Sequence, residues 1–395
     1  RMLCMLRSLF RQIKGHIFMS NHLFNPNPIN FTKEPLFLGL GRNITRLDLS
    51  SESHISKMTA DAIGKLWFSG DFSVSKDGKD YINNEPKLNL LFMKNLKFQT
   101  LLDSLAARSV VEVFIPITTN PMLENWWYQH AFFECCIHSQ SYADIIKGLP
   151  VDAKAVFDDI MVNPAILKRA ESIVACFEHT VQLNSLMIMK DSTAVPESVR
   201  LAAEQAYSIE QHKVSIIMSL FALNILEAVL FKSSFLTSFA FKENGLYSIT
   251  ADVISKIAQD EAGHYAMTTT LINRLRKDPD WAYIFHDNSA AIDELYRKAL
   301  LADFEWIDYC YTDDVRLLGV NNKVLKQYVT SNLHSVMTSV QQQPIVDKVD
   351  NPCIWASKYT RPSSIQTAQK EKTSGNYLLG VVSTDIKPEF WSTLK

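Results

Sequence analysis

Six side chains in this chain have the types and spacing of a buried ligand set: Asp103, Glu134 with His138, Glu227, and Glu261 with His264. Glu134, His138 and Tyr142 follow one another at single-turn intervals in A-F-F-E-C-C-I-H-S-Q-S-Y (131–142). Positions four apart on an α-helix share a face, so acid, imidazole and phenol point the same way. Trp126, Trp127, Phe132, Phe133 and Ile137 flank them and turn that face inward. A buried carboxylate and imidazole need compensation, either from each other or from a metal. Taken singly, each has an ordinary explanation: His264 as a satisfied core histidine, Asp103 as a helix-face acid. Taken together, oxygen donors with imidazole nitrogen suit iron or manganese better than zinc, and no cysteine set competes.

Helices must position these groups. The chain has 395 residues, 47% hydrophobic and 21% charged, enough for a sizeable core. Glycine is scarce, 12 in all, against an average near ~7%, which favours long uninterrupted helices. A net charge of −2 points to neither nucleic acid nor membrane. The six cysteines lack disulfide or zinc-finger spacing, which fits a reducing cytoplasm. Helical spacing is expected over 52–67, 87–107, 120–147, 165–189, 199–241, 248–277, 287–311 and 322–342, with an extended arm over 25–46. The run 214–231 is long enough for a membrane span. Asn224 and Glu227 lie inside it and Lys232 follows, so it reads as a core helix carrying an acid. Asp103, the Glu134–His138 pair, Glu227 and the Glu261–His264 pair then fall on four separate helices. Single acids on two helices and an acid–histidine pair on each of two others is the plan of dinuclear carboxylate bundles. Four carboxylates also balance two divalent cations.

Residues 1–18 are basic and apolar and contain no acid. They read as an extension ahead of a start at Met19-Ser20 rather than as a targeting segment. Residues 19–360 read as one helical di-metal domain. Residues 361–395 are polar, without periodicity, and end in a short apolar segment, the composition of a flexible docking tail.

The strings N-L-K-F-Q-T-L-L-D-S (95–104), I-H-S-Q-S-Y (137–142), V-F-D-D-I (156–160), K-R-A-E-S-I (168–173), N-I-L-E-A-V (224–229) and I-A-Q-D-E-A-G-H (257–264) carry a resemblance. From about Glu34 onward the chain resembles the small, radical-generating subunit of class I ribonucleotide reductase, of the bacterial and phage type. The resemblance implies an all-α, ferritin-like bundle, a homodimer, and two irons bound by Asp103, Glu134, His138, Glu227, Glu261 and His264. It implies reaction of those irons with O2 to oxidise Tyr142 to a stable radical, sheltered by Phe231, Phe235 and Ile257. It further implies a route from Tyr142 past His138 and Asp260 to Trp67, and through Tyr377 in the tail to a large subunit that holds the nucleotide. Trp67 stands in L-W-F-S-G-D, which matches the family string only in part.

One departure falls inside the site. The family has Glu-x-x-His before its tyrosine, whereas Glu134 and His138 are four apart. Counting forward from Asp103 and Trp126 places Glu134 on the ligand position; counting back from His138 places Cys135 there. An extra residue within a helix is accommodated as a π-bulge, which keeps Glu134 as the expected ligand. Cys135 would set an oxidisable thiolate beside an O2-reactive centre. Whether the metals are two irons or include manganese is left open by the sequence. Two other classes compete: a di-metal oxidase or ferroxidase that exports no radical, and a metal-free helical scaffold.

Overall fold

Asn120 and Asn163 show how this sequence starts its helices. The Asn120 side chain accepts hydrogen bonds from the backbone N–H groups of Met122 and Leu123, and Asn163 does the same for Ala165 and Ile166. Each is followed by a proline at the first helical position, where the missing N–H costs nothing. The computed structural model describes residues 25–26, 28–40, 43–48, 52–312, 315 and 317–360. The expected extension over 1–18 and tail over 361–395 lie outside the described residues.

In chain order the helices are α1 (Ser53–Ile63), α2 (Ser75–Asn83), α3 (Pro86–Ser109), α4 (Pro121–Phe132) and α5 (Ser139–Lys147). They continue as α6 (Ala153–Ile160), α7 (Pro164–Asp191), α8 (Glu197–Ala206), α9 (Ile209–Ile225) and α10 (Phe231–Glu243). The last are α11 (Ser248–Leu275), α12 (Ala282–Asp287), α13 (Ser289–Cys310), α14 (Asn322–Ser339) and the short α15 (Ser357–Thr360). No β-strand occurs among the described residues. The extended arm forms one isolated bridge, Phe37 to Thr118, tying it down just ahead of α4.

Among the described residues, three π-helical segments interrupt this pattern: Val110–Phe114 after α3, Phe133–His138 between α4 and α5, and Leu226–Leu230 between α9 and α10. The second and third join their flanking helices into continuous rods. Those two rods, α3 and α11 make the central bundle, with α3 packed against the Phe133–His138 segment and α10, and α11 against α9 and α10. α7 and α13 cover one side of α9. The result is an all-helical bundle around a buried polar cluster.

Two expectations are corrected. The region 199–241 is not one helix: the chain breaks at Tyr207, and the Ser208 side chain caps a new helix by accepting from the Gln211 N–H. The first helix ends at Ile63 rather than near Trp67, leaving Trp67 buried in the connector. The long apolar helix is core: 89% of its most apolar stretch is buried inside the protein.

Candidate metal centre

α3 contributes Asp103, the Phe133–His138 segment contributes Glu134 and His138, the Leu226–Leu230 segment contributes Glu227, and α11 contributes Glu261 and His264. All six are buried. The structure brings them into two groups that share Glu134, one of Asp103, Glu134, His138 and Glu261, the other of His130, Glu134, Glu227 and His264. Within each group the donor atoms lie within 4.8 Å of one another.

The π segment decides who reaches the site. Its wider turn lets Glu134 and His138 both point inward, while Cys135 and Cys136 are exposed on the outer side. Neither thiol belongs to either donor group.

In the first group, His138 Nδ1 faces three carboxylate oxygens, Asp103 Oδ1 at 3.1 Å, Glu261 Oε1 at 3.2 Å and Glu134 Oε2 at 3.4 Å. In the second, His264 Nδ1 lies 2.9 Å from Glu134 Oε1, and His130 Nε2 lies 3.1 Å from Glu227 Oε1. Several of these atoms are buried without hydrogen-bond partners: Asp103 Oδ2, both Glu134 oxygens, Glu227 Oε1 and Glu261 Oε1. Leaving so many carboxylate oxygens dry and unpaired is costly. Two divalent cations would use those lone pairs and cancel the four negative charges, so the donor set fits a dinuclear metal.

Burial and mutual repulsion set the protons. Burial first, with Glu134 and Glu261 nearby, pushes the Asp103 carboxyl well above its usual range despite the hydrogen bond from His138. Burial pushes Glu227 up to about 7. Burial acts against charge on His264, but Glu261 and Glu134 lift it to about 10. His138 is likewise lifted well above its ordinary value, by Glu134, Asp103 and Asp260 against its burial. For Glu134, burial is outweighed by the charge of His138 and the close approach of the His130 and His264 imidazoles, so it lies well below the carboxylate range. The metal-free site therefore keeps protons on His138 and His264 while Glu134 stays ionised.

Tyr142 is wholly buried, and its hydroxyl has no hydrogen-bond partner. Burial, then the negative field of Asp103 and Glu261, pushes its pKa well up. Phe231, Phe235 and Ile257 are buried in the same core. On the opposite edge of His138, Nε2 lies 3.2 Å from Asp260 Oδ2. The same oxygen accepts a 2.7 Å hydrogen bond from Trp67 Nε1. The Trp67 and His138 rings stand 6.3 Å apart, nearly parallel. Tyr377 lies outside the described residues. A cavity of about 160 Å3, lined by Met58, Trp126, Phe133, Asp260 and His264 among others, opens beside the cluster.

His130 is the residue that the sequence reading missed. It precedes Glu134 by one helical turn, so the signal was present in its spacing.

Residues 50–352 match the family described as ribonucleotide reductase, small chain. The chain is 32% identical over 358 residues to the ribonucleoside-diphosphate reductase 1 subunit beta of Salmonella typhimurium, covering 90% of this chain and 94% of that one. Its fold resembles the ribonucleotide reductase R2 subunit from Clostridium botulinum, with TM-score 0.72 at 18% identity, covering 87% of this chain and 99% of that one. It also resembles the dimanganese(II)-NrdF of Streptococcus sanguinis, with TM-score 0.59 at 17% identity, covering 80% and 98%. The fold of those neighbours is the ferritin-like bundle expected from the sequence. With the family matched over most of its length and the ligand-bearing helices in place, the chain belongs to the ribonucleotide reductase small-chain family.

Proposed function

We propose that this chain is the radical-generating small subunit of a ribonucleoside-diphosphate reductase, supplying a tyrosyl radical to a large subunit that reduces the nucleotide. The observation that carries the reading is the pair of donor groups sharing Glu134, with the buried and unbonded Tyr142 phenol beside Asp103. Asp103, Glu134, His138, Glu227, Glu261 and His264 would hold two metals, irons or a pair that includes manganese. When bound, the metals supply the reduction of O2 that draws an electron from the protein.

The chain's own residues do the rest. Tyr142 gives up one electron and its phenolic proton in the field of the cluster carboxylates, Asp103 and Glu261 foremost. Burial keeps water and reductants from the oxidised ring. For export, an electron would return to Tyr142 by way of Trp67, Asp260 and His138, three residues joined by close polar contacts. Tyr377 would extend the route across the docking tail. An exposed apolar groove lined by Leu101, Leu105, Phe157, Met161, Leu167 and Val174 supports a homodimer. The free thiols among the described residues fit the cytoplasm.

The test is EPR with metal analysis on metal-free protein given Fe(II) without oxygen and then air. Two irons per chain with a tyrosyl signal are expected. Tyr142→Phe should keep the irons and lose both signal and turnover with the large subunit. A Tyr142→Phe protein that still turned over would overturn the role of Tyr142. Two irons with no radical in the parent would move the assignment to a di-metal oxidase.

A further inference from the structure

The six ligands implied by the resemblance leave out an imidazole that the fold drives into the middle of the cluster. His130 sits on α4, one turn before Glu134, and is wholly buried. Its Nε2 lies 3.1 Å from Glu227 Oε1 and 3.4 Å from Glu134 Oε1. Neither approach has hydrogen-bond alignment, and Nδ1 also lacks a partner. The ring stacks on His264 with centroids 3.7 Å apart and planes 20° from parallel.

A histidine that merely oriented Glu227 would aim an N–H along the line to its oxygen. This one instead presents Nε2 to a space bounded by two carboxylates and a second imidazole. Ligands at right angles on a metal, with bonds of about 2.1 Å, stand about 3 Å apart. The separations of 2.9, 3.1 and 3.4 Å among His264, Glu134, Glu227 and His130 bracket that value. We propose that His130 is a seventh protein ligand of the dinuclear centre, so that the two metal subsites are chemically unequal. The inference rests on the reading above that the cluster binds two metals.

The inequality follows from the donor lists. One subsite has His130 and His264 with Glu227 and the shared Glu134; the other has His138 with Asp103, Glu261 and Glu134. Imidazole suits iron, cobalt and their neighbours, whereas a mostly carboxylate set suits manganese. The nitrogen-rich subsite therefore fills first with iron or cobalt, and the oxygen-rich subsite is the more tolerant of manganese. His130 adds a neutral donor, so the charge balance of the centre is unchanged.

The experiment is an anaerobic Co(II) titration of the full-length chain, followed by absorption and calorimetry, beside His130→Phe and His130→Gln. The parent should take two Co(II), one more tightly. Each variant should lose about 10–100-fold in the tighter step, the scale of a lost metal-supporting contact, and keep the other. X-ray absorption of the cobalt-loaded parent should count three imidazoles over two metals, a readout that needs no variant to fold. Two imidazoles, or a folded His130→Phe that binds cobalt as the parent does, would overturn the seventh ligand alone. A parent that binds no cobalt would overturn the dinuclear reading along with it.

Discussion

His138 has one ring nitrogen facing three carboxylates and the other facing Asp260. A single N–H satisfies one acceptor, whereas a cation satisfies all three, which is why the arrangement reads as a ligand rather than a buried ion pair. Asp260 fixes the outer edge of that ring and also holds Trp67. Asp260→Asn is expected to cost about 10–100-fold in metal affinity or turnover, measured by anaerobic Co(II) titration and by assay with the large subunit. Unchanged values in both would remove Asp260 from the relay. The protons give a second prediction. His264 at about 10 and His138 well above its usual value are protonated at neutral pH in the metal-free site. A metal must displace those protons, so affinity should rise with pH up to about 10 and binding should release protons. Calorimetry in buffers of different ionisation enthalpy reads both, and a pH-independent affinity would contradict the assignment. In the metal-free fold the same raised value means stability that is complete below the ordinary 6.5 and lost as pH climbs through about 10.

The elements that carry the site are distorted where they carry it. A π turn widens the helix and frees carbonyl groups that an α-helix would bond. Each π segment here has polar side chains aimed at its carbonyls. Asn184 donates to Glu112 O and Val113 O at 2.9 and 3.0 Å. Ser139 donates to Glu134 O at 2.9 Å. Arg169 donates to Leu230 O at 2.6 Å and pairs with buried Asp303, while Asn332 reaches Ala228 O. These contacts hold the irregular turns open. Asn184→Ala strips two carbonyls and also the partner of His212 Nε2, so it should destabilise the fold by about 1–3 kcal/mol. Denaturant unfolding of the metal-free protein measures this, and a loss below a few tenths would show that the π turn supports itself.

At the scale of the molecule, the central bundle shields one buried charge cluster, and the proposed function requires a second protein to use what the cluster produces. On the proposed function, radical formation would belong to residues within 52–360 and export to the expected docking tail over 361–395. Truncation after Thr360 is therefore expected to leave two metals and the radical signal intact and to abolish turnover with the large subunit, read by EPR and assay on the same sample. Truncated protein that still turned over would place the docking surface elsewhere.

Helical period, Asn-Pro starts and inward acids were legible because they are local: each depends on residues within one or two turns. The inward acids and imidazoles, the four helices that carry them and the core nature of the apolar run were readable from that spacing, while their role as metal ligands was implied by the resemblance. What needed the tertiary structure was the consequence of inserting one residue into a helix. Sequence left Glu134 and Cys135 as rivals, because counting from either side gives a different register. The π turn at Phe133–His138 resolves it by absorbing the extra residue, with Glu134 inside and both thiols outside. It also decided that His130, on the regular turn before the insertion, faces Glu227 and His264 on two other helices. A histidine one turn from an acid is common, and only the packing of three helices against one another makes its nitrogen part of a metal-sized space.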